Sequence, residues 1–205
     1  EMENLDALAQ DVRSGFKKDL EKEVIEAMTT NETSFFRDQK PFHLFENVLL
    51  PRLMNNRTSR RIKIWCAACS SGQEPYSLAM LIKENQARFA GWNFEIIATD
   101  LDEKILDQAQ KGRFSQFEVQ RGLPITHLVK YFTQDQDAWV LNDEIKRMVT
   151  FRPLNLLDSF AALTGCDIVF CRNVLIYFDK ETKAKIFKKI YDILPDNGYL
   201  VLGGA

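Results

Sequence analysis

With 205 residues, 45% of them hydrophobic and 27% charged, the chain has the composition of a soluble α/β domain with at most a small appendage. A formal net charge of −2 argues against a general nucleic-acid binder. No apolar run nears the roughly 20 residues that span a bilayer, and the polar start EMENLDALAQDVRSGF has no signal-peptide core. A cytoplasmic protein without membrane insertion is expected, its four cysteines (Cys66, Cys69, Cys166, Cys171) reduced.

Residues 5 to 29 carry Leu5, Leu8, Val12, Phe16, Leu20, Val24, Ile25 and Met28 at spacings of three or four, the period of a helix. Its opposite face holds Arg13, Lys17, Lys18 and Lys22, either a solvated face or a docking face for an acidic partner. This stretch, 1–30, reads as a short helical segment ahead of the main domain. A second helix, FHLFENVLLPRL, is entered through Pro41 and expected to end around Pro51.

Apolar runs then alternate with helical patterns: IKIWCAA, FEIIATD, CDIVFCRN and GYLVLGG read as strands, with EPYSLAMLIKENQARF, DEKILDQAQKG and DKETKAKIFKKIYDIL as the helices between them. Strands apolar on both faces indicate a mostly parallel sheet covered by helices, hence a doubly wound α/β fold for 31–205. Residues 113 to 153 interrupt the alternation. There AWVLN and RMVTFRPL are expected to form a small antiparallel ribbon, inserted at about 125–153. The chain stops at GYLVLGGA, where a strand should hand over to its next loop, so further strands are expected beyond it.

In an open α/β sheet ligands bind at the carboxyl ends of the strands. The first such loop, CSSGQE, has one glycine, Gly72, where a dinucleotide fold shows G-x-G-x-x-G around a pyrophosphate. That argues against NAD, FAD or a nucleoside triphosphate and leaves Gly72 to let the backbone approach a cofactor. Asp100 ends the second strand, positioned to accept hydrogen bonds from ribose hydroxyls or to cap the next helix. Ribose without pyrophosphate points to an adenosyl ligand such as S-adenosylmethionine (SAM). Glu74, in the first turn of the following helix, complements either the helix dipole or the cationic groups of such a ligand. NETSFFR brings Asn31, Thr33 and Arg37 before the sheet, as capping chemistry or as ligand contacts, and CRNVLIYF puts Arg172, Asn173 and Tyr177 just past a buried strand. For a metal centre the chain offers only the cysteines and two distant histidines, His43 and His127, so none is expected. Cys66 and Cys171, on strands that should be neighbours, are expected to pack near one another without redox chemistry.

Together NETSFFRD, ACSSGQEPYSLAM, IIATDLD, NLLD and VFCRNVLIYFD, in this order and spacing, resemble the chemotaxis receptor methyltransferases, the CheR family. The resemblance runs from about residue 25 to the end. It implies a Rossmann-like SAM-dependent methyltransferase that esterifies glutamate side chains on the cytoplasmic helical domain of chemoreceptors, releasing S-adenosylhomocysteine. The SAM contacts it implies fall on Asn31, Thr33, Arg37, Glu74, Asp100, Asn155, Leu156, Arg172 and Asn173, with Arg37 and Tyr177 near the methyl-transfer centre. The N-terminal helical segment is shorter than the family's. In some relatives the inserted ribbon adds the receptor's C-terminal pentapeptide as an extra strand through a glycine-bearing loop. YFTQDQDAWVLND has no glycine, so that tethering is not expected here.

Overall fold

The computed structural model describes residues 31–57 and 59–204, together with the single positions 10, 20 and 24. Of the helix expected at 5–29 only these three positions are described; the rest lies outside the described residues. The chain divides into two compact units, Glu1–Glu32 and Thr33–Ala205.

Among its described residues the second unit has eight strands: β1 (Arg61–Ala67), β2 (Asn93–Asp100), β3 (Arg113–Ser115), β4 (Phe132–Asp135), β5 (Ala138–Leu141), β6 (Val149–Pro153), β7 (Ile168–Cys171) and β8 (Tyr199–Leu202). Five form the main sheet in the order β6-β2-β1-β7-β8, every pairing parallel. Chain order therefore reverses between β1 and β7. In a doubly wound sheet a crevice opens there, at the carboxyl ends of the strands.

The strands alternate their side chains between two apolar layers. Ile62, Ile64 and Cys66 of β1 join one cluster, Trp65 and Ala67 the other. This explains why IKIWCA reads as continuously apolar. Cys66 and Cys171 consequently lie on opposite faces: Cys171 pairs in register with Ala67, not with Cys66, and belongs to the second cluster. The expected approach of those two thiols does not occur, because pleat parity separates them.

Helix α1 (Lys40–Leu44) leads through a π turn, Phe45–Leu49, into α2 (Leu50–Asn55). The expected stop at Pro51 is absent. Leu50 N–H reaches back to the Phe45 carbonyl, and such a widened turn makes room for a proline ring inside a continuing helix. Helix α3 (Gln73–Glu84) follows β1, and α4 (Glu103–Lys111) follows β2. Both pack into the first layer through residues such as Tyr76, Leu78, Met80 and Leu106.

The short helices α5 (Gln116–Gln120), α6 (Ile125–Tyr131) and α7 (Asp143–Lys146) accompany the small strands, and α8 (Lys180–Ile193) covers the second layer with Ile186, Ile190 and Ile193. The small sheet has three strands, in the order β3-β5-β4, all antiparallel. The pairing of AWVLN with RMVTFRPL expected from the sequence is replaced: β5 pairs with β4 across the two-residue turn Gln136–Asp137, while Val149–Pro153 joins the main sheet beside β2. The insertion accordingly spans the strands from Arg113 to Leu141 rather than 125–153. Among the described residues no helix is long and apolar enough to cross a membrane.

Candidate functional site at the strand ends

Backbone geometry first marks the crevice. Ala68, Ser70 and Gly72, in the loop after β1, all have positive φ (55°, 51° and 92°), and Asn173, after β7, has φ 56°. L-residues adopt this left-handed conformation at a cost of about 1–2 kcal/mol each, so other contacts must hold the loop. They are visible. Asp100 accepts the Ser70 N–H at 2.7 Å through Oδ2 and the Asp102 N–H at 3.1 Å through Oδ1. The Cys69 N–H donates to the Thr99 carbonyl at 2.9 Å. The β1 loop is thus moored to the end of β2, and Asp100 is buried.

The helix after β2 has its cap from another residue. The N-cap of α4 is Asp102, whose side chain accepts the Ile105 N–H at 3.0 Å. Asp100 instead points into the crevice loop. Burial pushes its carboxyl above the ordinary range, against the pull of the backbone N–H groups. Each of its oxygens keeps acceptor capacity beyond one backbone bond.

Gly72 serves packing. A Cβ there would meet Ala109, Tyr76 and Phe151 at 3.1–3.3 Å, so the missing side chain makes room for these neighbours. Directly behind it, Glu74 in the first turn of α3 is buried and bonded to Arg172 Nη1 at 2.7 Å. Burial raises the Glu74 carboxyl, while Arg172 and then Arg37 pull it down. The helix dipole alone does not explain a carboxylate held in this way.

Arg172 is the hub. Its side chain is 2% exposed; Nη2 donates to the Arg37 carbonyl and to the Asp38 carboxylate, both at 2.7 Å, and the guanidinium lies 5.5 Å from the centre of the Phe42 ring. Nε is buried and lacks a hydrogen-bond partner among the described residues. A buried donor of this kind normally finds an acceptor, so its isolation suits a ligand. Arg37 itself is half-buried on the same loop.

The remaining predicted residues have no direct bond to this cluster among the described contacts. Thr33 is half-buried at the start of the unit. Asn155, past β6, closes its own turn by accepting the Leu157 N–H at 2.9 Å, and Leu156 is a buried member of the second layer whose carbonyl takes Lys189 Nζ at 2.6 Å. Asn173 sits against Gly203, where a Cβ would come within 3.1 Å of its side chain. Tyr177 ends a short 3-10 turn and is 60% exposed. Asn31 is half-buried and belongs to the other unit. The structure therefore joins Glu74, Arg172 and the Arg37 backbone by direct bonds and brings Asp100 in through the β1 loop. Sequence reasoning missed Asp38 and Ser77. Asp38 stands beside Arg37 in NETSFFRD, which was a usable signal; Ser77, buried in α3 and accepting the Phe36 N–H at 3.0 Å, had none.

Another cavity, of about 240 Å³, opens at the opposite, amino ends of β1 and β7 and is lined by Arg57, Arg61, Lys63 and Asp167 among others. Its basic lining contrasts with the carboxylates of the crevice. All four cysteines are free and buried, and burial pushes the Cys166 and Cys171 thiols up to about 12.

An adenosyl ligand with a charged amino-acid tail suits the crevice: carboxylates for hydroxyls and cations, a buried guanidinium donor for a carboxylate, and no phosphate-binding glycines. Comparison with known proteins points the same way. Residues 31–205 match the family described as CheR methyltransferase, SAM binding domain. The chain is 40% identical over 208 residues to the chemotaxis protein methyltransferase Cher2 of Pseudomonas putida, covering 100% of this chain and 76% of that protein. It is 44% identical over 190 residues to chemotaxis protein methyltransferase 1 of Pseudomonas aeruginosa (91% and 69%), and 42% identical over 205 residues to the chemotaxis protein methyltransferase of Vibrio parahaemolyticus (98% and 74%). With that family match covering the crevice and the whole second unit, the chain belongs to the CheR methyltransferases, and residues 31–205 are its SAM-binding domain.

Proposed function

We propose that the protein transfers the methyl group of SAM to glutamate side chains on the cytoplasmic helical domain of chemoreceptors, forming γ-glutamyl methyl esters in the cytoplasm. The observation that carries this reading is the Glu74–Arg172–Arg37 cluster, set beside Asp100 at the reversal point of a sheet whose family is a chemotaxis methyltransferase.

Bound SAM supplies a methyl group on a sulfonium, electrophilic without further activation. Asp100 offers its free lone pairs to the ribose hydroxyls, and Arg172 Nε a donor to the methionyl carboxylate. Glu74 gives negative charge to a cationic ligand. Thr33, Asn155, Leu156 and Asn173 complete the cofactor surface. Arg37 orients the acceptor carboxylate through its guanidinium fork, and Tyr177, exposed at the rim, lies against the incoming glutamate. The acceptor is already ionised at neutral pH, its reference pKa being about 4.3, so these residues need hold no general base. Their work is alignment and desolvation. With the turn between β4 and β5 reduced to two residues and free of glycine, no tethering of the receptor C-terminus is assigned to the small sheet; micromolar binding of a receptor's C-terminal pentapeptide in a calorimetric titration would reverse that.

The test is transfer from methyl-labelled SAM to receptor cytoplasmic fragments, followed by mild base. Label released as methanol is expected; label stable to base identifies a different acceptor group and overturns the assignment. Arg37→Ala is expected to abolish transfer, and near wild-type turnover in that variant would remove Arg37 from the centre.

A further inference from the structure

The segment that carries Arg37 is strained. Phe36, Asp38 and Gln39 have φ of 50°, 67° and 47°, so three of four consecutive residues have positive φ and none is glycine. Such a run persists only where its surroundings over-determine it. One flank is fixed by burial: Phe35 packs edge-on against Phe114 and Phe132 at 5.0 and 5.7 Å, Phe36 packs against Phe42 at 5.3 Å, and the Phe36 N–H donates to buried Ser77 Oγ. The other flank enters α1, where the Gln39 carbonyl accepts the Phe42 and His43 N–H groups and Phe42 is buried against Phe36 and Phe170; the side chain between the two flanks is polar. Asp38 is 51% exposed, and what holds it is Arg172 Nη2, shared with the Arg37 carbonyl, while Nη1 is held by Glu74.

We infer that Asp38 is a positioning residue for methyl transfer: through Arg172 it fixes the peptide of Arg37 and so the direction of the Arg37 side chain. This rests on the function proposed above. Geometry supports the assignment over a merely structural one. A single guanidinium bridges the loop's backbone, the loop's carboxylate and the first turn of α3, so the orientation of the Arg37 peptide is referred to the same helix that bears Glu74. Removing the Asp38 charge leaves Nη2 with neutral carbonyl acceptors only, a weaker hold than a carboxylate. The peptide is then free to rock while both aromatic anchors stay in place. Asn is the informative replacement, because among non-glycine residues it adopts left-handed φ most readily and therefore changes the charge without adding backbone strain.

Asp38→Asn, Asp38→Glu and the unchanged protein are compared for SAM affinity by calorimetry, for kcat on receptor fragments, and for amide hydrogen exchange across residues 36–39. The expected result for Asp38→Asn is a loss of about 10- to 100-fold in kcat, the scale of an ångström-sized misplacement, with SAM affinity changed less than about 3-fold and the exchange of the Gln39 amide, which donates to the Phe36 carbonyl, accelerated. In an Arg37→Lys background the same substitution should cost much less, since its effect runs through Arg37. Asp38→Glu should recover part of the loss. Unchanged kcat, an undiminished cost in the Arg37→Lys background, or unchanged amide exchange overturns the proposal. So does tighter SAM binding by Asp38→Asn, which would make Asp38 a competitor for Arg172. If the unchanged protein methylates no receptor glutamate, the proposed function fails, and the exchange measurement still decides whether Asp38 holds the loop.

Discussion

Gly122 and Gly165 form a matched pair that tests how firmly the Arg37 segment is held. Their φ values are nearly the same, +82° and +77°, so alanine at either position costs about 1–2 kcal/mol in backbone conformation. Their surroundings differ. A Cβ on Gly165 meets nothing within 4 Å, whereas one on Gly122 would fall far inside van der Waals contact with the backbone carbonyl oxygen of Phe35. That oxygen belongs to a buried, aromatic-anchored residue and cannot swing aside as a flexible side chain would. Relief requires moving the Phe35 backbone, an overpacking cost of about 1–3 kcal/mol beyond the conformational one. For a chain of this size each kcal/mol lowers Tm by about 2–4 °C, so Gly122→Ala should melt about 2–12 °C below Gly165→Ala in a two-state thermal scan. Because the Phe35 carbonyl lies one residue before the positive-φ run, Gly122→Ala should also lower methyl transfer at temperatures where it remains folded, and Gly165→Ala should not. Equal melting losses in the two variants would refute the claim that Phe35 is immovably packed.

The thiols give a second test: all four are buried and their pKa values raised by burial, so a disulfide reagent should label the native protein no faster than it opens and should find four thiols after denaturation. Rapid labelling of any cysteine in the native state would contradict this packing. For Glu74 the sign follows from its raised folded pKa. The folded protein holds that proton to higher pH than the unfolded chain, so the contribution of Glu74 is most favourable below its unfolded value of about 4.3 and declines as pH rises through the folded value. The Tm of the unchanged protein minus that of Glu74→Gln should accordingly fall as pH rises through that window. A difference that grows with pH would mean that Arg172 outweighs burial.

The parallel sheet was legible because its strands are buried on both faces and therefore read as unbroken apolar runs, with helical periods between them. What misled were elements whose identity depends on a partner. VTFRP is as β-rich as AWVL, and nothing local distinguishes a strand that pairs with a nearby hairpin from one that crosses to β2; the choice rests on the parallel register of Ile96 with Val149 through Asp100 with Pro153. Pro51 misled for a different reason. A proline stops an α-helix by its ring and its missing donor, but a π turn just before it removes the steric part of that rule, and no side-chain pattern announces a π turn.

At the site the sequence yielded residue types but not their division of labour. Glu74, Asp100 and Arg172 each stand out as a polar group at a buried strand end, while the bonds that give them work span 30 to 135 positions, beyond any periodic signal. Gly72 shows the consequence. In a loop read as a failed nucleotide motif, a glycine invites the inference that backbone must approach a ligand; the structure adds a packing reason for it, because the place a Cβ would take lies against Ala109, Tyr76 and Phe151. The part of the loop that faces the crevice is held by Asp100 on the Ser70 N–H, with left-handed Ala68 and Ser70 doing without glycine because that bond and the Cys69–Thr99 bond offset their strain. A carboxylate at the end of β2 thus does in this fold what extra glycines do in a phosphate-binding loop: it sets the path of the turn. It also leaves negative charge at the crevice, which would repel a pyrophosphate and favours a cationic adenosyl ligand.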